Sequence, residues 1–111
     1  MVTDEEIVSE MDKFRAKMTD EKYARHFKNW NKTMQYFFND TGDYWHIVVT
    51  NGQPGKPAKG KVDKPDINYE MSTTDFLDLM QGRISGLKLY NQKRLKIKAS
   101  MPDILKLQKL A

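Results

Sequence analysis

The sequence predicts an α+β domain, with a mostly antiparallel sheet of about five strands and helices packed on one of its faces. Two observations carry this expectation. Apolar residues alternate, as in strands, through the middle of the chain, while apolar residues at helical spacing gather toward both ends. A chain of 111 residues, 39% hydrophobic and 11% aromatic, also has enough apolar mass for one core and too little length for two. The expected organisation is one domain over 1–111, with an amino-terminal helical segment at 1–32 and the sheet with its covering helices at 33–111.

The elements follow in order. Thr3 and Glu6 form a capping box, and Ile7, Met11, Phe14 and Met18 then recur at helical spacing. Thr19-Asp20-Glu21 opens a second helical run with Tyr23, Phe27 and Trp30 along one face. From Thr33 the period becomes two. Met34, Tyr36 and Phe38 alternate, 39–43 supplies turn residues, and Trp45, Ile47 and Val49 alternate again, which reads as a hairpin. Met34 and Phe37 also fit a continuation of the helical stripe from Trp30, so the switch near residue 32 has two readings.

Asn51-Gly52 is a further turn signal, and 56–62 suits a short, Lys-rich edge strand. Asp66 to Met71 alternates, with Ile67, Tyr69 and Met71 on one side. Ser72 caps a helix carrying Phe76, Leu77, Leu79 and Met80, which Gly82 ends in a left-handed stop. Residues 84–91 form a second short helix or irregular turn, and Arg94 to Lys98 alternates Leu95 and Ile97 with cations as a strand. Ser100-Met101-Pro102-Asp103 opens a last helix through Ile104, Leu105, Leu107 and Leu110.

Little here points to catalysis. Without cysteine there is no disulfide framework, thiol nucleophile or zinc-thiolate site. His26 lies beside Arg25 and Lys28 and reads as a surface residue, and His46 sits opposite Trp45 and Ile47 on a strand; the two lack metal-ligand spacing. Asp75 and Asp78 share a helix face, a placement that the helix dipole explains. Gln53-Pro54-Gly55-Lys56-Pro57 resembles a phosphate loop only superficially, having no strand before it and helix after it. No enzyme, metal or cofactor is expected. The acidic start and the absence of a long apolar run suggest a cytoplasmic protein.

The net charge of +4 is uneven: nine acidic and seven basic residues occupy 1–43, six and twelve the remainder. Lys93, Arg94, Lys96 and Lys98, with Lys56, Lys59, Lys61 and Lys64, make either a solvated, protected edge or a surface for anions such as lipid headgroups. Nucleic acid suits them less well, because the aromatics fall on apolar faces instead of interleaving with the cations. The three apolar pieces of the last forty residues read either as ordinary core or as the cover of a ligand cavity.

An ordered set of motifs bears on that choice. Tyr44-Trp45-His46-Ile47-Val48-Val49-Thr50-Asn51-Gly52 is followed by Asp66 to Ser72, then by Phe76-Leu77-Asp78-Leu79-Met80-Gln81-Gly82, Arg94-Leu95-Lys96-Ile97-Lys98 and Leu105-Lys106-Leu107-Gln108-Lys109-Leu110. Tyr36-Phe37-Phe38 precedes them as a first strand. In order and spacing the set resembles the sterol carrier protein type 2 family over roughly residues 33–110. The departures are Lys93 and Ala99, where the pattern often has glycine before and after the Arg94–Lys98 strand, and Gly86 with Leu89-Tyr90 in the second short helix. Lys109-Leu110-Ala111 is not the peroxisomal tripeptide common among eukaryotic carriers.

The resemblance implies an apolar tunnel between helices and sheet. Its walls would be Phe76, Leu77, Met80, Ile84, Leu87, Ile104, Leu105 and Leu110, its floor Trp45, Ile47, Leu95 and Ile97, and Arg83 or Lys88 would meet a head group at its mouth. The function implied is non-catalytic binding and transfer of a fatty acid, acyl-CoA, isoprenoid or sterol-like lipid, with transient contact with an anionic membrane surface. The alternatives are an accessory or assembly module of a lipid-handling enzyme with no exchangeable ligand and, third, a small basic nucleic-acid-binding domain. Oligomeric state is not legible.

Overall fold

The central hairpin organises the molecule. In the computed structural model, which describes residues 1–110, β1 (Lys32–Phe38) and β2 (Asp43–Thr50) pair antiparallel, with Tyr36 opposite Trp45 and Met34 opposite Ile47. The helical alternative for Met34 and Phe37 therefore fails. The preceding run shortens to α2 (Glu21–Ala24) and a single 3₁₀ turn over Arg25–Phe27. Asn29 then takes a left-handed conformation, φ 61, which places Trp30 outside the helix that its spacing suggested.

Asn51 and Gly52 both have positive φ, the two-residue turn geometry whose twist suits a hairpin, and lead into β3 (Gln53–Pro54). Gly52 is required twice over, since a Cβ there would lie 2.5 Å from the Phe27 carbonyl oxygen. The expected Lys-rich edge strand is only β4 (Ala58–Lys59), which also pairs with β2. β5 (Ile67–Met71) runs parallel to β1, and β6 (Lys96–Lys98) runs antiparallel to β5. Among the described residues the sheet thus has six strands, one more than expected, in the order β3-β2-β1-β5-β6 with β4 beside β2.

One face of this sheet is apolar and covered. Met34, Phe38, Ile47, Val49, Ile67 and Met71 are buried there. Across it lies α3 (Thr73–Met80), whose Phe76 ring meets Tyr36 and Phe38 edge-on at 5.7 and 5.2 Å. α1 (Asp4–Thr19) begins with the expected capping box, Glu6 N–H donating to Thr3 Oγ1 and Thr3 N–H donating back to the Glu6 carboxylate at 3.0 Å. It buries Ile7, Met11 and Met18 in the same core. On the opposite face the 60–66 segment folds over Gln35, whose side chain accepts from Val62 N–H and donates to Asn68.

The remaining caps are those the sequence marks. Ser72 Oγ accepts from Asp75 N–H, Ser85 Oγ from Lys88 N–H at the start of α4 (Gly86–Asn91), and Ser100 Oγ from Asp103 N–H at the start of α5 (Met101–Gln108). Asp103 is also the anchor of α5. It is buried, accepts from the Trp30 indole at 3.0 Å and lies 3.2 Å from Lys32 Nζ. Among the described residues no helix is long and apolar enough to cross a membrane.

Candidate functional site

A cleft of about 390 Å³ opens between the sheet and helices α1, α3 and α5. Tyr36 of β1 with Tyr69 and Met71 of β5 form its floor, Phe76, Leu79 and Met80 of α3 one wall, and Leu107 with Leu110 another. α1 closes it with a second stripe, Glu10, Lys13, Phe14 and Lys17, adjacent to the Ile7-Met11-Met18 stripe it buries in the core. The volume lies within the roughly 300–1,000 Å³ usual for ligand pockets. Two larger hollows are less suited to a guest. One, about 710 Å³, is lined by residues of α1 alone and has no second element to enclose a molecule. The other, about 700 Å³, lies on the opposite sheet face, where Phe37 and Tyr44 are ringed by Gln35, Asn68, Glu70, Lys98 and the charged 61–66 segment, with no helix over them.

Three of the expected wall residues, Phe76, Met80 and Leu110, border the cleft. Trp45, Ile47, Leu77 and Leu95 are buried in the core and do not. Ile84 and Ile97 are partly buried against that core, Ile97 beside Tyr69 across the β5–β6 pair, and Ile104 is partly buried on α5. Leu87 and Leu105 are corrections, for they are 70% and 55% exposed. On each short helix a neighbour two positions along turns inward instead, Leu89 on α4 and Leu107 on α5. A step of two residues turns a helix by about 200°, so only one of each pair can face the sheet.

The two head-group candidates lie outside the cleft's lining. Arg83 is paired with Asp78 at 2.8 Å, Lys88 stands exposed on α4, and neither borders the cleft. The cations that do are Lys13 and Lys17 of α1. Lys13 Nζ donates to Glu10 Oε1 at 2.9 Å, and Lys17 Nζ lies 5.4 Å from the centre of the Tyr23 ring. Gln81 Nε2 also reaches Glu10 Oε1, at 3.4 Å. The floor's Tyr36 and Tyr69 rings stack at 5.0 Å, and burial pushes both phenols up, so each stays a neutral hydroxyl.

None of this is a catalytic constellation. His46 Nδ1 meets the Gly60 carbonyl at 2.9 Å, a structural contact. Desolvation, and then Lys109, Arg25 and Lys106, hold the His26 imidazole below its ordinary value, so it is neutral near pH 7. Among the described residues no three His, Cys, Asp or Glu side chains gather as a metal set. The basic residues of both sheet edges are partly neutralised too: Arg94 pairs with Asp75, Lys96 lies 3.8 Å from Glu70, and Lys59 contacts both Asp4 and Asp43.

Comparison with known proteins gives a consistent picture. The model of the SCP-2 sterol transfer family matches residues 11–111. No curated protein sequence matches significantly. Among solved structures, a sec-alkyl sulfatase is similar at TM-score 0.75 and 13% identity, with 98% of this chain covered and only 16% of that one. The sterol carrier protein domain 2 of Helicoverpa armigera is similar at TM-score 0.70 and 23% identity, covering 92% of this chain and 82% of that one. Palmitated sterol carrier protein 2 like 2 of Aedes aegypti follows at TM-score 0.68 and 13% identity, with 94% and 92% covered. At these identities the structures share a fold.

Proposed function

Because the chain belongs to the SCP-2 sterol transfer family, we propose that it is a non-catalytic carrier, binding and transferring a fatty acid, acyl-CoA, isoprenoid or sterol-like lipid in the cleft between sheet and helices. The observation that carries this reading is the cleft itself, apolar on its floor and on the α3 and α5 walls. The palmitated Aedes aegypti protein supports it by analogy of fold. Affinity needs no specific chemistry. Each methylene removed from water contributes roughly 0.8 kcal/mol, so a dozen provide on the order of 10 kcal/mol before ordering costs. Met71 on the floor and Met80 on the α3 wall suit a lining that repacks around different guests.

Transfer also requires a carrier to meet a membrane. Exposed Leu87 and Tyr90 on α4, with Lys88 in the same helix and Lys93 just beyond it, offer apolar and cationic contact to an anionic surface. Native mass spectrometry of the purified chain, followed by titration of delipidated protein with a fluorescent fatty acid and a fluorescent sterol, tests the reading. Micromolar or tighter binding of either is expected. Binding of neither, with no co-purifying lipid, overturns it.

A second reading has its own support. In the sec-alkyl sulfatase this fold is a 16% part of a larger chain, so the domain also suits an accessory module beside an enzyme. A partner recovered by pull-down, with a cleft that takes no lipid, favours that alternative.

A further inference from the structure

We propose that Glu10 selects the polar end of the ligand, so that the cleft takes long-chain molecules whose head is a neutral hydrogen-bond donor in preference to an ionised carboxylate. This rests on the carrier reading and narrows its ligand class. Glu10 borders the cleft, and its side chain is only 4% exposed. Lys13 and Gln81 both reach the same oxygen, Oε1. Oε2 is buried and has no hydrogen-bond partner among the described residues. A buried carboxylate oxygen without a donor is unstable relative to one that has it, and a guest able to donate supplies what the protein does not.

The groups around it decide the sign. The cleft's cations, Lys13 and Lys17, lie on the same helix face, but the Lys13 side chain is 69% exposed and already bound to Oε1. Lys17 lies over the Tyr23 ring. An anionic head held by these lysines leaves Oε2 unpaired, and one pushed deeper meets the Glu10 carboxylate as a like charge in low dielectric. A hydroxyl or primary amide head has no such conflict and donates to Oε2 once the Glu10 carboxylate turns toward the cleft.

The test displaces a neutral fluorescent lipid probe from the delipidated full chain with dodecanol, dodecanamide and dodecanoate, which share one chain length. Dodecanol and dodecanamide are expected to compete about tenfold better than dodecanoate, the worth of one buried polar group left unmatched. In Glu10→Gln, whose amide can donate to an anion, the preference collapses or reverses while thermal unfolding is unchanged. If that variant folds poorly, methyl dodecanoate, neutral but unable to donate, decides instead: it is expected to compete about tenfold worse than dodecanol, and equal competition overturns the role of Glu10. Equal competition, or dodecanoate competing best, overturns the role of Glu10 and leaves the carrier reading standing. Failure of the probe and all three competitors to bind removes the carrier reading, and the selectivity with it.

Discussion

The apolar face of the sheet is closed in two different ways across its width. Toward β2, Ile7, Met11 and Met18 of α1 with Phe27 of the 3₁₀ turn share a core with Met34, Ile47 and Val49, all at most 2% exposed. Toward β5, Tyr36, Tyr69 and Met71 look into a cleft that α3 and α5 cover only in part. The strands are alike, so the cover makes the difference. One stripe of the sixteen-residue α1 closes the packed half, whereas a second stripe of α1 covers the other together with the eight-residue α3 and α5. Short helices leave gaps between their ends, and the gap above the aromatic floor is the cleft.

That contrast predicts the largest mutational effects. Ile47→Ala, in the packed half, is expected to cost about 2–5 kcal/mol of stability in urea unfolding, because the cavity it leaves cannot collapse. Leu107→Ala, which widens a cleft already open, is expected to cost about 1 kcal/mol or less and to weaken lipid binding instead. Equal losses at the two sites would show that the cleft is packed as tightly as the core.

Next in size is the strap that holds α5 over the cleft. Asp103→Ala leaves the Trp30 indole without its acceptor and removes a helix N-terminal carboxylate, at about 1–3 kcal/mol. The strap is also sensitive to acid. Burial alone would raise the Asp103 carboxyl, but hydrogen bonds from Trp30, Ser100 and Lys32 win and hold it below its ordinary 3.8. A carboxyl lowered on folding contributes stability that is present above 3.8 and is lost as pH falls through the lower folded value. Asp40, desolvated but held low by the Thr73 hydroxyl and amide, acts in the same direction at the entry to α3. Stability measured from pH 5 down should therefore fall less steeply in Asp103→Asn than in the parent.

Much of this architecture was legible because it is local. The capping serines, the Asn51-Gly52 turn and the period-two runs each state their conformation within a few residues, and each element formed where those signals lie. Trp30 shows the limit of spacing. It continues the stripe of Tyr23 and Phe27, yet Asn29 breaks the helix before it, and its true partner, Asp103, is 73 positions away. The cleft was less legible for a related reason. Glu10, Lys13 and Lys17 carry no such local signal, since a charged side chain that lays its aliphatic stem along a cavity looks in sequence like any solvated one. The signal available was the 10-13-14-17 spacing around Phe14. The tyrosines of the floor lie on the strands that their alternation predicts, but which stretch of the sheet lacks a full cover depends on where α3 and α5 end.

Filling the gap should separate binding from stability. Met80→Trp places a larger ring into the cleft from α3, and lipid titration is expected to show at least about a tenfold loss of affinity from the excluded methylenes. The melting temperature should change little, because the added ring occupies open space. A large drop would mean that the α3 wall, too, is fully packed.

The smallest effect expected is a gain. α3 and α4 end in the same motif: the C″ amide bonds the C3 carbonyl, Arg83 to Asp78 and Arg94 to Leu89, while the C′ amide bonds the C2 carbonyl, Gly82 to Leu79 and Lys93 to Tyr90. Both C′ residues are left-handed, at φ 77 and φ 60. Glycine takes that conformation freely, and lysine does so against its own Cβ. Lys93→Gly is therefore expected to stabilise the chain by about 1 kcal/mol in urea unfolding, without touching the cleft. Gly82→Ala should cost a similar amount by the same reasoning, since open space around Gly82 leaves backbone strain as the only penalty. If Lys93→Gly is neutral, the roof near α4 relaxes its own strain, and that half of the sheet's cover is looser than the packed half in backbone as well as in side chains.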